Sequence, residues 1–142
     1  MSFRIYNTQK WSAEQMAPYL DKVIKSIAYF HKKFPDDYTP QTILNDILKG
    51  DKLLWIIVDE QENFMAHVTT ELQKLVTGAL RAVIVTLGGK GGAPLTKLIP
   101  QIEAYYKEKG AKELIIIGRR GWKKSLKSHG YFVNLLEYRK QL

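Results

Sequence analysis

No cysteine occurs among the 142 residues, which excludes a disulfide framework, a thiolate nucleophile and a thiolate zinc site. Nitrogen ligands are scarce as well, with three histidines, His31, His67 and His129, so no metal site is expected. Long apolar runs are missing: nothing approaches the roughly 20 residues needed to cross a bilayer. The opening MSFRIYNTQKW lacks the apolar stretch and small-residue cleavage site of a signal peptide. These absences predict a soluble, cytoplasmic protein without a membrane contact. What is present has globular proportions, 45% hydrophobic and 25% charged, which excludes a disordered tail or a fibrous repeat. The length suits a single domain over residues 1–142.

Acidic residues are thin in one part of the chain. Residues 1–60 balance eight Lys/Arg against eight Asp/Glu, whereas residues 61–142 set fourteen against six, so the whole net charge of +8 lies there. A basic part of this kind suits nucleic acid, a phosphorylated cofactor, an acidic protein or solubility alone, and charge by itself does not choose among them.

Hydrophobic spacing and punctuation predict the elements. Arg4 to Tyr6 alternates as a short strand. Ser12 and Gln15 make a capping box for a helix carrying Val23, Ile24, Ile27 and Phe30, with Pro18 forcing a kink or a later start. Thr39, Pro40 and Gly50 frame a second helix. Leu53 to Val58 and Phe64 to Leu72 read as a hairpin across DEQEN. Arg81 to Leu87, a helix over Leu95 to Lys109, and Glu113 to Ile117 form a βαβ unit whose last strand reads as interior. A short basic helix over Trp122 to Ser128 and a final strand over Phe132 to Tyr138 complete the chain.

The chemistry concentrates between a strand and a helix, at Gly88, Gly89, Lys90, Gly91, Gly92 and Ala93. Glycine lets the backbone approach a phosphate, and first-turn N–H groups face it. Neither the P-loop nor the G-x-G-x-x-G spacing is met. Pro94 and Pro100 matter here: a regular helix beginning only near Pro100 takes its N-terminus away from the glycines.

The element order, with Gly91 and Ala93 in the frame after the fourth strand and the segment GRRGWKKSLKSHGYF from Gly118 to Phe132, resembles the GNAT (acyl-CoA N-acyltransferase) superfamily, in particular small GNAT-like proteins of tailed bacteriophages. The resemblance implies a mixed α/β sheet of about six strands and four helices, with central strands splayed beside the glycines. It also implies acetyl-CoA as cofactor, held by Thr86, Leu87, Gly88, Gly89, Lys90, Gly91, Gly92 and Ala93 with Arg119 and Trp122. The activity it implies is acetyl transfer to a small-molecule or protein amine. The sequence departs from the family where Leu126 stands in place of the usual tyrosine acid and where RAVIVTL carries no carboxylate. The remaining catalytic candidates are Glu71, His129 and Tyr131; His67 reads as a packing residue. These departures support an alternative, a non-catalytic GNAT-fold protein that contacts a virion or host protein, in the host cytoplasm or the virion. A second alternative rests on Arg119, Arg120, Lys123, Lys124, Lys127, Arg139 and Lys140, interleaved with Trp122 and Tyr131: a basic nucleic-acid-binding module, against which stands the absence of any known nucleic-acid motif.

Overall fold

The computed structural model describes residues 2–33, 35–36, 39–118 and 120–142. Ser12 and Gln15 cap each other reciprocally and open one turn, α1 (Ala13–Met16). Pro18 has no N–H with which to continue it, and the helix proper, α2 (Leu20–Lys33), resumes after a turn. Thr39 caps α3 (Pro40–Lys49), Pro40 opens it, and Gly50 ends it at φ 82°.

Strands β1 (Arg4–Asn7), β2 (Leu53–Val58), β3 (Phe64–Lys74) and β4 (Leu80–Gly89) pair antiparallel in chain order. After α4 (Ile99–Glu108), β5 (Ala111–Ile116) joins β4 in parallel. The expected mixed α/β sheet is thus present, with five strands among the described residues. Alternation along each strand divides the side chains between two faces. Trp55, Ile57, Val68 and Ile84 pack beneath Ile99 and Ile102 of α4, while Leu54, Ile56 and Val58 meet Val23 and Ile27 of α2 and Ile43 of α3. The neighbours Thr69 and Thr70 serve opposite faces. Thr70 accepts a hydrogen bond from Trp55 Nε1 at 2.9 Å and lies 2.6 Å from the Tyr106 hydroxyl, whose pKa burial pushes up to about 12.

The end of the chain differs from the sequence reading. Residues 131–142 form no strand, and Phe132, Leu135 and Tyr138 are exposed. The strand after α4 is therefore an edge, not an interior strand, and its Lys112 and Glu113 face solvent. An apolar run such as ELIII shows that a strand packs against something. It carries no information on whether a further strand hydrogen-bonds beside it, because that depends on where a distant segment goes. Among the described residues, no helix is long and apolar enough to cross a membrane.

Candidate functional site

A bulge in β4 creates the site. Thr69 pairs with Thr86 and Thr70 with Ile84, leaving Val85 as the extra residue. β5 follows β4 only as far as Ile84, so among the described residues β4 from Val85 to Gly89 has β3 on one side and no strand on the other. The Lys90 N–H donates to the Met65 carbonyl at 2.7 Å. Alternation along the antiparallel ladder then turns the backbone of Gly88 and Thr86 toward β3 and that of Leu87 and Gly89 toward the open side. Of Thr86 and Leu87, both expected to hold the cofactor, the structure places the backbone of Leu87 on the free edge and that of Thr86 against β3.

Beyond the strand, no hydrogen bond among the described residues engages the N–H of Gly91 or Gly92. These groups are not presented from the end of an α-helix, however. Gly92 leads into a 3-10 turn, Ala93–Leu98, and α4 begins only at Ile99. Pro94 and Pro100 each sit in the first two positions of their own segment. Pro100 cannot supply the N–H that would carry one continuous α-helix through it, so the segment divides. The glycines therefore lie beyond the first-turn reach of the α4 dipole.

Most of the glycines are needed by the protein itself. A Cβ on Gly88 would stand 3.0 Å from His67 Cε1. One on Gly89, at φ 138°, would overlap the Met65 carbonyl oxygen, and one on Gly91, at φ 111°, would stand 2.9 Å from Leu95 Cδ2. Gly92, at φ 58°, has nothing within 4 Å. Lys90 is exposed.

Behind the glycines runs a buried polar chain that the sequence did not reveal. His67, which has no solvent exposure, places Nδ1 2.6 Å from Ser26 Oγ and Nε2 3.1 Å from Thr86 Oγ1. Thr86 in turn meets Thr69 Oγ1, and Ser26 donates to the Gly88 carbonyl at 3.1 Å. Because Ser26 spends its proton on Gly88, it accepts from the imidazole, which assigns the proton to Nδ1. Thr86 then donates to Nε2, and Thr69 donates to Thr86. Burial lowers the His67 pKa to about 4, so the ring is neutral at neutral pH and both its nitrogens are occupied. A signal did exist in the sequence: Ser26 is a polar residue three positions after Val23 and four before Phe30, on the apolar stripe of α2.

The other candidates are dispersed. Glu71 pairs across β3 with Val83, on the far side of the bulge from the glycines, with Lys52 Nζ at 4.0 Å and a hydrogen bond from Gln73. His129 closes the last helix, α5 (Lys123–Ser128), through its backbone N–H to Leu126. The Tyr131 hydroxyl donates to Glu103 of α4, and burial together with that carboxylate raises its pKa, making it a poorer acid. Trp122, Leu126 and Tyr131 pack against the cluster beneath α4 together with Leu87 and Ile116. A cavity of about 10 Å³ remains there, lined in part by Leu87, Leu95 and Ile84. A hollow of about 290 Å³ lies beside the 3-10 turn, lined by Ser2, Phe3, Pro94, Lys97 and Leu98. Lys123, Lys124 and Lys127 are exposed on α5. Arg119 lies outside the described residues. No group of three His, Asp or Glu side chains suited to a metal occurs among the described residues.

Solved structures of GNAT-fold acetyltransferases superpose over almost all of this chain. Glucosamine-6-phosphate N-acetyltransferase from Arabidopsis thaliana matches with a TM-score of 0.66 at 13% identity, covering 99% of each chain. An acetyltransferase of Trypanosoma brucei matches at 0.68 with 9% identity over 99% of this chain and 100% of that one. A GNAT family acetyltransferase of Staphylococcus aureus matches at 0.63 with 13% identity over both chains in full. No family model matches the sequence, and no curated protein does. The chain has the GNAT fold.

Proposed function

We propose that this protein binds acetyl-CoA along the open edge of β4 and transfers the acetyl group to a small-molecule or protein amine. One observation carries the reading: residues 85–89 leave β5 after the Val85 bulge, and their outward amides continue into the uncommitted N–H groups of Gly91 and Gly92. Gly89 and the Leu87 carbonyl would pair with the amides of a pantetheine arm as with an added strand. Gly91, Gly92 and Ala93 would offer N–H groups to the diphosphate, with Lys90 as a point charge. Bound there, the cofactor supplies the acetyl group as an activated thioester. The Leu87 N–H would then polarise a carbonyl placed against it.

The chain's own residues do little proton transfer in this reading. His67 is neutral and enclosed, and Glu71 is held beside Lys52. The amine arrives already neutral, and orientation supplies most of the acceleration. The rate is therefore expected to climb with pH through the amine's own titration, with no inflection near 6.5; a pH profile of turnover checks this, and a plateau set by an imidazole would contradict it.

The binding test uses Gly92→Asp, since the position opens into free space while Gly91 rests against Leu95. Calorimetry is expected to show affinity for acetyl-CoA lowered at least about tenfold, some 1.4 kcal/mol, because a carboxylate would face the diphosphate. Equal heats in both proteins would overturn the assignment. A second reading, a non-catalytic module meeting a virion or host protein, is favoured by the dispersal of Glu71, His129 and Tyr131, each engaged elsewhere in the protein. It predicts no heat from acetyl-CoA in the parent protein.

A further inference from the structure

The peptide unit between Gly88 and Gly89 is the one in β4 with a glycine on each side, so it meets the least steric resistance to rotation. A trans peptide is planar and its N–H points opposite to its C=O. Whatever fixes the Gly88 carbonyl therefore also aims the Gly89 N–H, which lies on the open side of β4. Ser26 of α2 donates to that carbonyl at 3.1 Å, and His67 Nδ1 holds the Ser26 hydroxyl from 2.6 Å away. The imidazole is itself wedged in place. Phe30 meets it edge-on with ring centroids 6.4 Å apart, and Gly88 leaves it room, since a Cβ there would stand 3.0 Å from Cε1 and 3.6 Å from Ser26 Oγ.

The hydrogen bonds of this chain all run one way. Thr69 donates to Thr86, Thr86 to His67 Nε2, His67 Nδ1 to Ser26, and Ser26 to the Gly88 carbonyl. Aligned donors polarise one another in a buried setting, and a carbonyl that accepts strongly makes the N–H of the same peptide a better donor. We infer that Ser26 and His67 are positioning residues of the cofactor site, which fix and polarise the Gly88–Gly89 peptide so that the Gly89 N–H is presented to the pantetheine arm of acetyl-CoA. The inference rests on the acetyl-CoA reading above. His67 has no exposed surface and the Ser26 hydroxyl is spent on Gly88 and His67, so both act through the peptide and not by touching the ligand. Leu87 is bracketed in the same way, with the Thr86 side chain tied before it and the Gly88 carbonyl tied after it.

Three variants of the full chain test this. Ser26→Ala removes the donor and Ser26→Thr keeps a hydroxyl. Ile27→Val trims the adjacent buried position of α2, which packs on Leu54 and Ile56 away from the glycines. Calorimetry with acetyl-CoA is expected to show affinity lowered on the order of tenfold in Ser26→Ala, the size of one lost hydrogen-bonded contact, with Ser26→Thr and Ile27→Val close to the parent. Amide relaxation dispersion on the ligand-free proteins supplies a second readout: the Gly89 N–H is expected to show microsecond-to-millisecond exchange in Ser26→Ala and none in the parent. Should Ser26→Ala not fold, Ser26→Cys, with a weak donor in the same place, carries the same two expectations. Absence of heat in the parent would remove the acetyl-CoA reading itself. Heat in the parent with equal affinity in Ser26→Ala, an equal loss in Ile27→Val, or a Gly89 amide undisturbed in Ser26→Ala would overturn the positioning role alone.

Discussion

Gly89→Ala is expected to destabilise the protein by about 4 kcal/mol or more, at the upper end of single substitutions. Two costs coincide. At φ 138° an alanine is strained wherever it sits, which accounts for about 1–3 kcal/mol. Its methyl would also overlap the Met65 carbonyl oxygen and stand 2.5 Å from the Ala66 Cα, both belonging to the neighbouring strand backbone, which has no flexible side-chain end to move away. Relief requires β3 and β4 to separate where their ladder ends. Gly78→Ala and Gly92→Ala are the controls, because both sites have positive φ and open space and should lose only the backbone strain, about 1–3 kcal/mol. Urea denaturation of the three variants decides the matter: similar losses would show that backbone conformation alone, without the contact to β3, sets the requirement for glycine.

The second large effect is a dependence of stability on pH that originates at His67. Burial holds the folded pKa at about 4, against 6.5 in the unfolded chain. Above pH 6.5 the ring is neutral in both states and costs nothing. As the pH falls from 6.5 toward 4, the unfolded chain takes up a proton that the folded one refuses, so stability drops, and below about 4 the loss is complete. The gap corresponds to about 3 kcal/mol. His67→Gln should weaken the protein at neutral pH, because Ser26 and Thr86 lose well-placed partners. Its stability should nevertheless fall less steeply than the parent's across the same window. Parallel curves for the two proteins between pH 7 and 4 would rule out a buried neutral imidazole. The variant also loosens the Ser26 contact to the Gly88 carbonyl, a hydrogen bond from the buried polar network to the glycine segment.

Much of this structure was legible in the residues. The caps at Ser12 and Thr39, the stop at Gly50 and the hairpin across DEQEN are local, because turn and cap chemistry act within four or five residues. The break of the helix before α4 was also visible as a condition attached to Pro100. The Ser26–His67–Thr86–Thr69 chain was not read, because its members are scattered over positions 26 to 86 and meet only when α2 lies across β3 and β4. The purpose of the glycines was read incompletely. Spacing showed that the backbone must come close to something, but not that for Gly88, Gly89 and Gly91 the neighbour is this protein's own His67, Met65 and Leu95.

The sequence alone determined the helices and strands as far as α5, the position of the glycine turn, and the absence of thiol chemistry, since all of these follow from local sterics and residue type; it did not decide the state of residues 132–138. Tertiary structure decided which amides remain free, which histidine stays neutral, and that β5 is an edge with its expected neighbour pointing elsewhere. Those outcomes depend on strand register and on the bulge at Val85. A shift of one residue there exchanges the groups that face β3 with those that face the open side, and no window of sequence encodes that choice.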